Sequence, residues 1–191
     1  MQLILLNKPF RVLSQFTDVD GRLTLGDFVK IPDVYGIGRL DYESEGLILL
    51  TDDGRLKHQI AHPKFSLPKH YWVQVEGDAG DDQLQRLISG VISKGETLKA
   101  VAARQIKPPG VWPRVPPIRE RKSVPDCWLE IVLNQGRNRQ VRRMTASVGL
   151  PALRLIRQQI GPWKLHGLQP GETHHLHAAE AHKALQKFRR S

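Results

Sequence analysis

The stretch from Gly38 to Gly54, GRLDYESEGLILLTDDG, constrains the fold more than any other part of this chain. Its continuous apolar run, Leu47 to Leu50, predicts a short buried strand that enters a hairpin at Asp53-Gly54. Three carboxylates stand in the loop that leads into this strand: Asp41, Glu43 and Glu45. Loops held by rigid strands often carry catalytic groups, although an acidic surface loop before a core strand is the simpler interpretation of the stretch alone.

The acidic loop lies in a strongly basic protein. The chain has 191 residues, a net charge of +10 and a sequence pI of about 10.0. A positive surplus of this size attracts polyanions, of which nucleic acid is the commonest. Solubility alone would not require the cations to cluster, and here they do, so we expect a nucleic-acid partner.

The cysteine count and the hydropathy pattern favour the cytoplasm. Cys127 is the single cysteine, which excludes an internal disulfide and fits a reducing compartment. No apolar run approaches the roughly 20 residues that a bilayer-spanning helix needs. The N-terminus lacks the basic region and the apolar length of a signal peptide. We therefore expect a cytoplasmic protein with no membrane partner.

Hydrophobic periodicity favours an α+β fold. Alternating or continuous apolar residues predict strands at Leu3–Leu6, Val12–Phe16, Tyr71–Val75, Leu98–Ile106, Cys127–Leu133, Leu153–Ile160 and Trp163–Leu168. Helical spacing predicts short helices at Thr24–Val29, Arg55–Ala61, from Asp81, at Arg139–Val148 and at Ala178–Arg190. Because no βαβ rhythm is present, we expect a mixed, mostly antiparallel central sheet, in a chain long enough for one large domain or two small ones.

The segment from Lys107 to Pro125 is rich in proline and basic residues. Its composition predicts a long, extended loop and not a flexible Gly/Ser linker. Long loops in compact domains are often functional, so we interpret this segment as an arm that clamps the substrate.

A cluster of arginines opens the helix predicted at Arg139–Val148: Arg137, Arg139, Arg142 and Arg143. A helix N-terminus attracts phosphate, and guanidinium groups bind it through paired hydrogen bonds. A solvated helix face is the alternative interpretation. The basic pI favours a nucleic-acid footprint instead.

Asp41 is the best candidate for a catalytic carboxylate. A partly buried aspartate needs a cationic neighbour to stay ionised, and Arg39 and Arg142 are the candidates. An ionised, positioned carboxylate can act as a nucleophile or as a general base. Asp41 together with Glu43 or Glu45 would also suit a hydrolase of the glycosidase type, but the chain has few aromatic residues to stack on sugars.

The sequence predicts neither a metal site nor a cofactor. His58 and His62 have the spacing of HExxH, but the segment reads HQIAH and lacks the glutamate. The phosphate-binding signatures GxxxxGK[ST] and GxGxxG are both absent, so no nucleotide cofactor is indicated.

Two stretches taken together resemble the paired signatures of the RsuA-type bacterial rRNA pseudouridine synthases: GRLDYESEGLILLTDDG at 38–54 and GRNRQVRRM at 136–144. Asn7-Lys8-Pro9 is similar to the first motif of that family, and Lys69-His70-Tyr71-Trp72-Val73 to its K-x-Y-x-V segment. The stretches at 112–125 and 154–163 resemble a subgroup that acts on the large ribosomal subunit. Tyr42 departs from the charged residue expected there, and no S4-like RNA-binding domain is expected ahead of Asn7.

The resemblance implies a reaction and three catalytic residues. The family isomerises uridine to pseudouridine, here at one site in 23S rRNA, without cofactor or metal. Asp41 matches the aspartate that forms a covalent adduct with the nucleotide. Tyr71 matches the tyrosine that stacks on the target base, and Arg142 matches the arginine that pairs with the aspartate. The fold implied is one catalytic domain over residues 1–191, in which two half-domains share a mixed sheet and flank a basic cleft.

RNA would be held by further polar residues: Lys8, Arg39, Lys69, Arg137, Asn138, Arg139 and Arg143. Among these, Arg39 is a candidate for filling the space left by a base flipped out of the RNA. The expected partner is 23S rRNA or a large-subunit assembly intermediate, bound by a monomer. Two alternatives stay open: a non-enzymatic rRNA-binding or ribosome-assembly protein, and a cofactor-free hydrolase that uses paired carboxylates.

Overall fold

The computed structural model describes residues 1–118 and 124–190. Its strands are β1 (Gln2–Lys8), β2 (Tyr35–Ile37), β3 (Glu45–Thr51), β4 (Lys69–Glu76), β5 (Val91–Ser93), β6 (Glu96–Leu98), β7 (Ala102–Ile106), β8 (Asp126–Leu133), β9 (Ala152–Ile160), β10 (Trp163–Lys164) and β11 (Thr173–His177). Its α-helices are α1 (Gly54–Ala61), α2 (Asp81–Ser89), α3 (Gln140–Ser147) and α4 (Ala178–Arg190). Short 3₁₀ helices lie at Leu25–Asp27 and Pro63–Phe65.

The chain divides into two compact units, and β9 begins in one and ends in the other. The first unit comprises Met1–Leu67 and Arg157–Ser191, and the second comprises Pro68–Ile156. The described strands and helices make an α+β fold with a mixed, mostly antiparallel sheet, as the hydrophobic pattern predicts.

The first unit is built around β1 and β3. The strand order there is β11, β1, β3 and β9, with β2 also paired to β3. All seven residues of β3 are buried, which explains why this strand reads as a continuous apolar run without alternation. On one face of these strands, Ile4 and Leu6 of β1 and Ile48 and Leu50 of β3 pack together with Leu25. Helices α1 and α4 also belong to this unit and pack against each other and against β3 and β1.

The second unit shows the alternation expected of a half-covered sheet. Its strand order is β9, β4, β8 and β7, with β5 and β6 forming a separate hairpin. Tyr71, Val73 and Val75 of β4 are buried on one face, opposite the equally buried residues of β8. Helix α3 adds Val141, Met144 and Val148 to this core. The strand of Tyr71 and helix α3 are therefore held by a common apolar core.

The hairpin predicted at Asp53-Gly54 is wrong. Asp53 is the N-cap of α1, because its Oδ1 accepts hydrogen bonds from the backbone N–H groups of Arg55 (2.9 Å) and Leu56 (3.0 Å). Aspartate before glycine is compatible with a hairpin turn and with a helix start, and the apolar spacing of Leu56 and Ile60 selects the helix.

Other elements differ from the prediction in extent. No strand is assigned at Val12–Phe16, where Leu13 makes a single isolated bridge to Thr24. The strand predicted at Leu98–Ile106 divides into β6 and β7, and that at Trp163–Leu168 shortens to β10. The sequence does not predict β2 or β11. Strand β2 has only three residues and β11 is mostly polar, so neither shows a period, and both form by pairing with buried neighbours.

The predicted arm at Lys107–Pro125 lies partly outside the described residues, which include neither Arg119 nor Arg121 nor Lys122. Its first part has no helix or strand, as expected. No helix in the described ranges combines the length and the apolar character that crossing a bilayer requires.

Candidate active site

The loop that carries Asp41 has a backbone fixed on both sides. Leu40 and Ser14 are joined twice, since the Ser14 hydroxyl donates to Leu40 O (2.7 Å) and accepts from Leu40 N (3.0 Å). Tyr42 O accepts from Arg11 N (2.8 Å), and Asp41 O accepts from Ser44 N (3.0 Å). Asp41 is partly exposed on this loop, while strand β3 behind it is fully buried. The Asp41 carboxylate is therefore accessible to a ligand, while the backbone that carries it is fixed.

Lys8 brings a positive charge to this loop from inside the first unit. The residue has no exposed surface, and its Nζ donates to the carbonyl oxygens of Pro9 and Val12, each at 2.8 Å. Burial lowers the pKa of Lys8 to about 7, with Glu45 and Asp41 acting to raise it and Arg157 to lower it. Asp41 thus has a cationic neighbour that the sequence analysis assigned to another role.

A side chain without exposed surface cannot reach a phosphate, so the predicted RNA contact of Lys8 is corrected. The signal that could have revealed its burial is its place at the end of the apolar strand β1, directly before Pro9. Arg39, by contrast, is exposed and remains available to a ligand.

Arg157 is a functional candidate that the sequence analysis missed. It is only 4% exposed, and its guanidinium spans the Asp41 loop: Nε donates to Leu47 O (2.8 Å) and Nη1 to Arg39 O (3.5 Å). These two carbonyls lie before and after Asp41. Arg157 therefore ties the two ends of the loop together within the first unit.

Tyr71 belongs to the second unit and lies on the buried face of β4. It is 6% exposed and faces Ile131 of β8 in the strand register. Lys69, two residues earlier on the same strand, is half-buried. The position of Tyr71 in a strand with a full apolar core behind it gives the ring little freedom to move.

The predicted arginine cluster is partly neutralised by Glu96, which the sequence analysis did not select. Arg137 Nη1 lies 3.2 Å from Glu96 Oε1, and Arg143 Nη1 lies 2.8 Å from Glu96 Oε2. Arg143 also donates to the hydroxyl and the backbone carbonyl of Ser93. The hydrogen bond from Arg143 is the main reason that the pKa of Glu96 is below its ordinary value. Arg143 therefore fastens α3 to the β5–β6 hairpin.

The other members of this cluster surround the start of α3. Arg139 is the N-cap residue, is exposed and has a left-handed backbone (φ 47°). Asn138 is exposed beside it. Arg142 is half-buried, and its Nη1 donates to Ala152 O at 3.2 Å. The exposed part of the cluster is thus Arg137, Asn138 and Arg139.

Comparison with known proteins identifies the family. Residues 2–147 match the family described as RNA pseudouridylate synthase. The chain belongs to the RNA pseudouridylate synthase family. The family likeness inferred from the motifs is thereby confirmed, and with it the prediction of an isomerase; the non-enzymatic alternative is not favoured.

Several curated relatives match this pseudouridylate synthase over most of its length. A protein of Xanthomonas campestris pv. campestris, named ribosomal large subunit pseudouridine synthase E, is 57% identical over 173 residues, which cover 89% of this chain and 92% of the relative. A protein of the same name from Vibrio vulnificus is 51% identical, covering 90% of this chain and 73% of the relative. A solved structure described as a pseudouridylate synthase superposes with a TM-score of 0.75 at 28% identity, covering 96% of this chain and 73% of that one.

Proposed function

We propose that this protein converts one uridine of the large-subunit (23S) rRNA into pseudouridine, with Asp41 as the nucleophile. The observation that carries the proposal is the Asp41 loop. It holds a partly exposed carboxylate on a fixed backbone, beside the buried cation Lys8, in a member of the RNA pseudouridylate synthase family. The relatives named ribosomal large subunit pseudouridine synthase E support the choice of RNA.

The reaction is an isomerisation that needs no oxidant and no cofactor. The bond between C1′ of the ribose and N1 of uracil breaks, and a bond between C1′ and C5 forms in its place. The proton at C5 leaves, and N1 gains one, so that atoms and electrons balance. A carboxylate that bonds covalently to the nucleotide divides this rearrangement into easier steps. Such a group must be held still, which the hydrogen bonds of Ser14 and Arg157 to the backbone of the Asp41 loop favour.

Tyr71 and Arg142 receive their roles from their match to the family motifs. Tyr71 would stack on the target base and relay a proton, for which a ring held against an apolar core is well suited. Arg142 would be the arginine that pairs with the nucleophilic aspartate.

The RNA contacts that we propose are revised from those predicted. Exposed residues would contact RNA at the loop and at the start of α3: Arg39, Arg137, Asn138 and Arg139. Lys69 is half-buried and would contact RNA with only the exposed part of its side chain. Arg143 would act mainly by holding α3 against the β5–β6 hairpin. Lys8 is left out. Arg39 would fill the space of the flipped base, and the protein would act as a monomer on free 23S rRNA or an assembly intermediate.

Tritium release from 23S rRNA labelled at C5 of uridine tests the proposal, because pseudouridine formation expels the hydrogen at that carbon. We expect release by the wild type and none by Asp41→Asn, with RNA binding retained. Glu43→Gln is the matched control, since it neutralises an exposed carboxylate in the same loop. We expect this variant to keep its activity.

Three outcomes would contradict the proposal. Absence of release by the wild type, on both free and partly assembled rRNA, would support the non-enzymatic binding protein. Full activity of Asp41→Asn would remove Asp41 from the chemistry. Hydrolysis products that vanish with Glu43→Gln would instead indicate the enzyme with paired carboxylates.

A further inference from the structure

A second basic surface lies on helices of the first unit that carry none of the residues assigned to the reaction. It is formed by exposed cations of α1, the 3₁₀ helix after it and α4, and we call it the helical basic surface: Arg55, Lys57, Lys64, Lys183, Lys187, Arg189 and Arg190. Residues 54–66 and 178–190 contain one carboxylate, Glu180, which accepts a hydrogen bond from His177 N at the start of α4. The surface therefore carries a large positive excess.

Two contacts show that α1 and α4 lie side by side and run in the same direction. His182 Nε2 lies 2.9 Å from Asp53 Oδ2 at the start of α1, and Arg189 Nη2 donates to Gln59 O (3.1 Å) near its end. At a rise of about 1.5 Å per residue, the spacing from 182 to 189 matches that from 53 to 59. The C-terminal ends of both helices are therefore neighbours, and their cations form one surface.

An aromatic cluster stands in this surface. The ring centroids of His58 and His62 are 4.9 Å apart, and each ring lies about 6 Å from Phe65, at 6.1 and 6.0 Å. The guanidinium of Arg189 lies 4.2 Å from the centroid of the Phe65 ring. Both histidines are exposed. Rings interleaved with cations are the arrangement on which unpaired bases stack while phosphates are neutralised.

Helix electrostatics explains only part of the charge. Lys187, Arg189 and Arg190 lie in the last turn of α4, where cations are favourable to the helix itself. Arg55 lies in the first turn of α1, where a cation opposes the helix dipole, and Lys64 lies in the 3₁₀ helix beyond α1. Lys183 is in the middle of α4. Arg55 and Lys183 therefore gain nothing from a helix end, and they suit an anionic ligand.

We propose that the helical basic surface binds a single-stranded segment of the RNA substrate that lies outside the reacting nucleotide. Exposed lysines and arginines would contact its phosphates, and His58, His62 and Phe65 would stack on its bases. This inference rests on the proposed function in one respect, namely that RNA is the substrate.

The test removes two charges that hold nothing else in place. Lys64→Gln/Lys183→Gln alters exposed side chains that form no hydrogen bond or ion pair within the described residues. Lys30→Gln/Lys164→Gln is the matched control, because it removes two exposed charges from the same unit outside the surface. A second variant, His58→Gln/His62→Asn, removes the rings; the asparagine can still accept the hydrogen bond that His62 Nδ1 takes from Lys64 N.

Two RNA probes distinguish binding at this surface from binding at the catalytic site. One is a long 23S rRNA fragment, and the other is the shortest fragment from which the wild type still releases tritium. For the long fragment, we expect the charge variant to raise Kd about 3- to 10-fold and to reduce the slope of log K against log salt by about 1.4. The ring variant raises Kd with little change in this slope. Both variants keep the wild-type kcat on the shortest fragment, and the control pair changes Kd less than about twofold.

Equal effects of the test and control pairs on Kd would overturn the inference, because net charge alone would then explain them. Wild-type Kd in both surface variants would also overturn it. A loss confined to assembly intermediates that contain protein, with naked RNA bound normally, would assign the surface to a protein partner instead. Since Kd is measured without turnover, a wild type that binds but releases no tritium would refute the proposed function and leave the Kd comparison on the long fragment valid.

Discussion

Lys8 is buried in the first unit, where its side chain contacts protein atoms instead of water. Two backbone carbonyls accept from its Nζ, and the carboxylates of Glu45 and Asp41 lie close enough to raise its pKa. Burial outweighs them and lowers the pKa to about 7 from an ordinary value of 10.5. Near neutral pH the side chain is therefore partly deprotonated, and the field that acts on Asp41 depends on pH.

The depressed pKa of Lys8 predicts a pH-dependent stability. Between pH 7 and 10.5 the unfolded chain binds the proton that the folded protein has released, so the free energy of unfolding rises with pH in this window. Below about pH 7 both states are protonated and the slope disappears. We expect the difference in unfolding free energy between the wild type and Lys8→Met to grow by up to about 1.4 kcal/mol per pH unit above pH 7.

Urea unfolding of both proteins at about pH 6, 7, 8 and 9 measures this difference. Because every other titrating group is common to the two proteins, their contributions cancel to first order. Parallel curves over the whole range would show that Lys8 titrates at its ordinary pKa and is not buried as described.

At the scale of elements, the approach of β9 to β3 depends on Gly46. This residue has a left-handed φ of +105°, and a Cβ built on it would lie 2.7 Å from Arg157 N and closer still to Arg157 O. Both contacts are with backbone atoms, which cannot move aside as a flexible side chain would. Gly46 thus allows β3 to pass close to the backbone of Arg157 in β9, the residue that joins the two ends of the Asp41 loop.

We expect Gly46→Ala to destabilise the protein by more than about 2 kcal/mol, since a strained φ and a backbone clash add up. Gly36→Ala in β2 is the control, because its Cβ would make only ordinary contacts, at 3.6 and 3.9 Å. Thermal unfolding of both variants gives the comparison. Similar melting temperatures for the two variants would contradict the close approach at Gly46.

At the scale of the molecule, a net charge of +10 acts mainly on the encounter with RNA. Exposed cations are screened by salt, whereas a group inside the protein such as Lys8 is screened much less. Binding and chemistry should therefore respond differently to ionic strength.

We predict that KM for the RNA substrate rises roughly tenfold or more between about 50 and 200 mM salt, while kcat stays within about twofold. The reason is that phosphate contacts release counterions, and the Asp41 loop is organised by groups shielded from solvent. Steady-state tritium release at several salt concentrations separates the two parameters. A kcat that falls in parallel with the rise in KM would show that the catalytic loop itself is held by exposed charges.

Some residues of the candidate site can be predicted from the sequence, and others cannot. Asp41, Tyr71 and Arg142 were selected because short motifs around them resemble the family, and these motifs are local in the chain. Glu96 and Arg157 were missed because their partners are distant: Glu96 pairs with Arg137 and Arg143, and Arg157 donates to Leu47 O, 110 positions away. A single sequence without structure contains no local signal for such contacts.

The sequence alone predicts the elements with a strong hydrophobic period, namely β3, β4, β8, α3 and α4, together with the α+β class and the family. It could do so because the spacing of apolar residues is a local property, and burial of that face follows wherever the element packs. The folded structure was needed to show that Asp53 caps a helix, that Lys8 is buried and that Arg157 joins the two ends of the Asp41 loop. Those outcomes depend on which distant residues surround a side chain, because burial and pairing, and not residue type, set its charge state and its role.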